Sequence, residues 1–102
     1  MKKKSNKLRK LENNRFSLFD SGDKCHYCPS KYNLTWHEIY AGKNRQNSMK
    51  YGLCLRLCLN CHRKLQEDYN FNSYWHIKGQ QEFIEHYPDL DFLSIFRRNY
   101  LP

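Results

Sequence analysis

Most of the chemistry this sequence offers sits in its cysteines. Four of the five form two pairs of identical spacing, Cys25-His-Tyr-Cys28 and Cys58-Leu-Asn-Cys61. A C-x-x-C knuckle brings two sulfurs to one side of a tight turn, and two knuckles supply the four soft thiolates that tetrahedral Zn²⁺ takes. Pro29 suits the turn after the first pair. The odd cysteine count, and a basic start with no apolar signal stretch behind it, argue against a disulfide framework. A structural zinc on Cys25, Cys28, Cys58 and Cys61 would tie an early loop to a later helix and contribute folding free energy directly. Cys54 alternates with Leu53 and Leu55 and reads as a core position on a strand. It becomes a ligand in place of Cys58 only if the second knuckle is irregular.

The elements between and around the knuckles follow from pattern. Leu34-Thr35-Trp36-His37-Glu38-Ile39-Tyr40 is β-branched and aromatic, a strand signature. Residues 41–50 are polar and read as a loop. Tyr51 to Leu57 reads as a second strand with Leu53, Leu55 and Leu57 on one face. Asn60 is positioned to cap a helix through Cys61-His62-Arg63-Lys64-Leu65-Gln66. Two further helices are expected near 77–87 and 90–99, with Phe83, Ile84 and Tyr87 together on the first and Leu90, Leu93 and Phe96 together on the second. Phe16, Leu18 and Phe19 are expected to pack back onto the domain.

Charge is uneven. Residues 1–15 hold seven basic side chains against Glu12, a net of +6 out of +8 for the chain. Such an arm, read here as flexible with a short helical piece around 7–12, commonly tracks a polyanion, so DNA is the expected partner. The other 87 residues form one small domain. No apolar run approaches the roughly 18 residues of a membrane span, and the mean hydropathy is −0.99. Membrane and secreted proteins are therefore disfavoured, as is an enzyme with a large enclosed pocket, which about 100 residues cannot hollow out.

The string from Cys25 to Gln66 resembles the HNH, or ββα-metal, endonucleases. The resemblance rests on His37-Glu38-Ile39 and on Leu57-Cys58-Leu59-Asn60-Cys61-His62, set in the order strand, polar stretch, strand, helix. It is most similar to zinc-bearing HNH proteins of phages and prophages, and the tail from Phe92 to Leu101 is similar to the end of such proteins. The implied fold is α+β: a ββα core over about 34–68, stapled by the zinc, with C-terminal helices over about 77–99.

The implied activity is metal-dependent hydrolysis of DNA phosphodiesters in the bacterial host cytosol, with no small-molecule cofactor. His37 and His62 match the family's metal-ligand positions, and Glu38 stands where a general-base histidine is expected. In that register Glu38 is the base. With the register shifted by one, His37 is the base and Glu38 an oxygen ligand suited to Mg²⁺, Mn²⁺ or another divalent ion. The asparagine of the family pattern is replaced near Leu53. Lys43, Arg45 and Ser48 in the polar stretch are candidates to grip the substrate's phosphates. His26, His76 and His86 read as ordinary hydrogen-bonded histidines. Two other functions fit the same residues: a zinc-containing DNA-binding protein with an inactive nuclease site, and a small adaptor using the C-terminal helices.

Overall fold

A computed structural model describes residues 6–102, so the lysines at 2–4 lie outside the described residues. Two strands, β1 (Leu34–Glu38) and β2 (Cys54–Cys58), pair antiparallel, with Leu34 opposite Cys58 and Glu38 opposite Cys54. Helix α1 (Asn6–Asn13) precedes them. A 3₁₀ turn (Gly42–Asn44) and helix α2 (Arg45–Tyr51) connect the strands. Helix α3 (Leu59–Leu65) leaves β2 without a break, followed by α4 (Tyr69–His86) and the short α5 (Phe92–Phe96). The result is a small α+β fold in the expected strand–strand–helix order. None of the helices is long and apolar enough to cross a membrane among the described residues.

The sheet is covered on both faces. Leu53, Leu55 and Leu57 are fully buried and join Phe71, Trp75, Phe83, Phe92 and Phe96 in one cluster, against which Leu18 and Phe19 pack. Cys54 points the other way along β2 and is equally buried, its thiol directed at the carbonyl of Ser48. It is a core residue, as expected.

Residues 42–51 are helical rather than a loop. Nothing in their polar composition signals an amphipathic helix, because the contacts that fix it are hydrogen bonds to distant chain. Asn44 donates to the carbonyl of Phe96 at 2.9 Å and Asn47 to that of Ile95 at 3.2 Å. Met49 inserts into the interior, and Gly52 at φ +76° ends the helix in the left-handed region that favours glycine.

The basic N-terminal segment also departs from expectation. The helical piece expected around 7–12 is present over residues 6–13, but it is docked on α2 rather than part of a loose arm. The ion pair between Glu12 and Arg45 and the one between Arg15 and Glu38 fasten it there.

Asn60 does not cap α3. Cys58 does, its sulfur accepting from the Cys61 N–H at 3.5 Å. Helix α4 begins eight residues before the expected 77, where Asp68 caps the Phe71 N–H at 2.8 Å. Its first half, Tyr-Asn-Phe-Asn-Ser-Tyr-Trp-His, contains poor helix formers and is held by the burial of Phe71 and Trp75. Ile84 is 46% exposed and so does not share the buried face of Phe83. In α5 the buried pair is Phe92 and Phe96, stacked at 4.5 Å, whereas Leu90 and Leu93 face solvent. The Asp91 cap and Arg97 in the left-handed region shorten that helix to five residues, which changes the face it buries.

At Gly79, α4 lies close against the end of the hairpin. A Cβ there would sit 2.8 Å from the Tyr40 hydroxyl, which donates to the carbonyl of His76. Gly79→Ala should therefore destabilise the protein by about 1–3 kcal/mol in denaturant titrations, even though alanine gains about 1 kcal/mol of helix propensity. The loss should shrink in a Tyr40→Phe background, where the hydroxyl is gone.

Candidate metal centre and histidine cleft

The first knuckle reaches the second because its loop is hydrogen-bonded to the outer edge of β2. The Cys25 N–H donates to the Ser30 carbonyl at 2.9 Å, closing the loop. The His26 N–H donates to the Arg56 carbonyl at 2.7 Å. Asp20 bridges the same two segments, contacting His26 Nδ1 through one oxygen and accepting the Arg56 N–H at 3.1 Å through the other. The second knuckle spans the end of β2 and the first turn of α3.

The four sulfurs of Cys25, Cys28, Cys58 and Cys61 all lie within 4.8 Å of one another. Cys28 and Cys58 are 3.6 Å apart. That is far too long for a disulfide bond of about 2.05 Å. It is close to the roughly 3.8 Å edge of a tetrahedron whose corners lie 2.3 Å from a central zinc. These four cysteines are placed to hold a metal ion such as zinc, as their spacing predicts.

Ionisation within the quartet is split. Burial opposes the Cys25 thiolate, but the backbone N–H groups of Cys58, Tyr27 and Cys28 outweigh it and bring the thiol down to about 6. Burial and the neighbouring sulfurs push Cys61 up to about 12. A cluster that releases its first proton easily and resists releasing its last is one that a divalent cation would neutralise. Cys54, pushed up to about 12 by burial and by Glu38, keeps its proton and stays apart.

A cleft beside this centre is lined by His37, Glu38, Ala41, His62, Gln66 and Glu67. His37 reaches it from β1 and His62 from α3, one residue after Cys61. Their rings meet edge to face with centroids 5.4 Å apart. Thr35 sets the tautomer of His62. Its hydroxyl donates its one hydrogen to the Leu57 carbonyl at 2.8 Å, so at its 2.7 Å contact with His62 Nδ1 it must accept. Nδ1 therefore carries the proton, and Nε2 keeps its lone pair for a metal or a proton.

His37 is buried, and its Nε2 is the one buried side-chain polar atom without a hydrogen-bond partner among the described residues. Burial, then the proximity of His62 and His76, brings its pKa down to about 4, so the ring is neutral at pH 7. A buried ring nitrogen that no protein group satisfies is a polar atom left for a ligand to pair with.

Glu38 borders the same cleft, but its Oε1 accepts from Arg15 at 2.8 Å and is ion-paired with Arg45 Nε at 3.3 Å. Its negative charge is committed to fastening α1 and α2 to the hairpin. Among the described residues only the cysteine quartet brings three or more metal-ligating side chains within mutual reach. His37 and His62 are brought together, then, without Glu38 joining them as a third ligand.

The expected phosphate grip does not assemble. Ser48 is fully buried, accepting the Tyr40 N–H at 3.1 Å and donating to the Tyr40 carbonyl at 2.8 Å, and it cannot touch a substrate. Arg45 is paired with Glu12 and Glu38. Lys43 is exposed on the 3₁₀ turn. Sequence reasoning missed Thr35, Gln66 and Glu67. Only Thr35 had a signal, since it lies two residues before His37 and so on the same face of β1. No protein-family model, curated protein or solved structure matches the chain.

Protein purified without added metal should contain about one zinc per chain by elemental analysis. Cys58→Ser should lose it, while Cys54→Ser should keep it. His37 supplies a pH signature. Its folded pKa lies below the roughly 6.5 of an unfolded histidine, so below pH 6.5 the unfolded chain takes up a proton that the folded chain refuses. Relative to His37→Leu, the metal-loaded wild type should lose stability as pH falls from about 6.5 to about 4, by up to about 3 kcal/mol, with no pH-dependent difference above that window.

Proposed function

We infer that the chain is a metal-dependent DNA endonuclease of the HNH kind, encoded by a phage or prophage and acting in the bacterial cytosol. One observation carries the reading: two histidines, one from the hairpin and one from the helix behind it, meet edge to face at a cleft adjoining the cysteine quartet, and one of them has a buried ring nitrogen that no protein group satisfies. The same two histidines stand at the positions that the sequence resemblance marks as metal ligands.

His62 Nε2 and the Glu67 carboxylate, both from residues that line the cleft, are the groups that would hold Mg²⁺, Mn²⁺ or another divalent ion there. Such an ion would supply Lewis-acid stabilisation of charge on the phosphate and on the departing 3′ oxygen. His37 is the proton acceptor for the attacking water. A phosphate bound beside it favours the imidazolium and raises its pKa from about 4 towards neutrality. Between the two registers open in the sequence, the pairing of Glu38 with Arg15 and Arg45 favours His37 as the base. The docked helix α1 contributes Lys7, Arg9 and Lys10 as exposed cations for a DNA backbone.

Supercoiled plasmid incubated with the zinc-loaded protein and Mg²⁺ or Mn²⁺ should be nicked or linearised. His37→Ala and His62→Ala should each abolish cutting while preserving zinc content. Glu38→Gln should change the rate only severalfold and lower stability instead, because it weakens two ion pairs. Thr35→Val should raise the divalent-ion concentration needed for half-maximal cutting by about 10–100-fold, and Thr35→Ser should restore it. Plasmid that stays intact with every metal, but is still bound, would establish the inactive DNA-binding protein instead. Changing Lys7 and Lys10 together to Gln should reduce the slope of log affinity against log salt by about two.

A further inference from the structure

Three clefts on one side of the molecule run into one another. The His37–His62 cleft shares His37, Glu38, Ala41 and Gln66 with a second that continues past Asn72, His76 and Tyr100. Those last three residues also line a third cleft, which lies between the first half of α4 and the C-terminal tail. Its volume of about 570 Å³ falls within the roughly 300–1,000 Å³ of small-molecule sites. The hydrolytic reaction has no use for this extension.

Its side chains have a definite chemistry. Tyr69 stands at the start of α4, 82% exposed, and its ring stacks on no other ring among the described residues. Across from it the Arg98 guanidinium lies 5.0 Å over the ring of Tyr100. No ion pair neutralises Arg98 among the described residues. The tail that carries it is fixed from the core: buried Gln80 accepts the Tyr100 N–H at 2.7 Å and donates to Asn99 Oδ1 at 2.8 Å. Asn72 and Ser73 add polar groups along the floor. The one acid, Glu67, stands where the groove meets the histidine cleft, the place at which a divalent ion would neutralise it.

An exposed aromatic face, a held guanidinium and neutral polar groups in a row form a stacking platform with a phosphate clamp. A duplex keeps its base faces inside its own stack and would leave Tyr69 with nothing to hold. We propose that this groove binds unpaired nucleotides next to the phosphate at the His37–His62 cleft, so that the substrate is DNA with a single-stranded segment. Tyr69 stacks on a base, and Arg98 takes the neighbouring phosphate. The assignment rests on the nuclease reading for its purpose, but its binding test does not.

The test is fluorescence anisotropy on zinc-loaded protein without Mg²⁺ or Mn²⁺, using an unstructured labelled 12-mer and the same strand as a duplex. The single strand should bind at least about tenfold more tightly. Tyr69→Ala should weaken single-strand binding about tenfold, and Tyr69→Phe should leave it unchanged. Arg98→Ala should weaken it too and lower the salt slope by about one. Duplex affinity should move less than twofold in all three variants. Equal affinity for the two DNA forms, or an unchanged single-strand affinity in Tyr69→Ala, would overturn the proposal. If plasmid is cut but Tyr69→Ala alters nothing, the groove assignment falls alone. If the single-strand preference and its loss in Tyr69→Ala are seen in protein that cuts no DNA, the groove stands and the nuclease reading falls.

Discussion

The convergence of four sulfurs is the constraint on which the rest of this small fold depends. Residues 25–28 belong to an irregular loop with little apolar surface of its own, and residues 58–61 form the joint between a strand and a helix. Bringing all four thiols within 4.8 Å fixes the angle at which α3 leaves β2. A two-stranded sheet alone is marginal in water. Here it is supported by the cysteine centre at one end and by the aromatic cluster of α4 and α5 at the other. The knuckle even serves as the helix cap, since the Cys58 sulfur that faces the centre also accepts the Cys61 N–H.

The same joint produces the histidine cleft. His62 follows Cys61 directly, so whatever orients the knuckle orients the imidazole. Thr35, across the sheet, then selects which ring nitrogen stays free. His37 is treated differently, because burial rather than a hydrogen bond keeps it neutral. The two rings are thus fixed by independent physical routes, His62 by a hydrogen bond and His37 by burial. Leaving a buried nitrogen without a partner costs stability, and proteins retain such atoms where they serve a ligand or a reaction.

Charge is used structurally where the sequence suggested it served a substrate. Arg15, Arg45, Glu12 and Glu38 form a partly buried network that joins α1, α2 and β1. Partial burial reduces solvent screening of these pairs, which makes them more than incidental surface contacts. The basic character of the N-terminal segment therefore has two parts. Arg15 is consumed by the fold, and the lysines of α1 face outwards.

What the sequence determined by itself was local and covalent in reach. The cysteine quartet, the strand–strand–helix order, the leucine face of β2 and the core position of Cys54 were all legible, because knuckle spacing and period-two alternation operate within a few residues. The tertiary structure decided what depends on partners far along the chain. Residues 42–51 became helical because Asn44 and Asn47 found carbonyls near residue 96. The first half of α4 became helical because Phe71 and Trp75 found the core, against their neighbours' propensities. Ser48 and Glu38 carry polar groups that suit a binding site as well as an interior, and only packing showed that one is buried against Tyr40 and the other is held by two arginines. A side chain's type states which bonds it can make; which of them it makes is decided by the atoms that folding brings within about 3 Å.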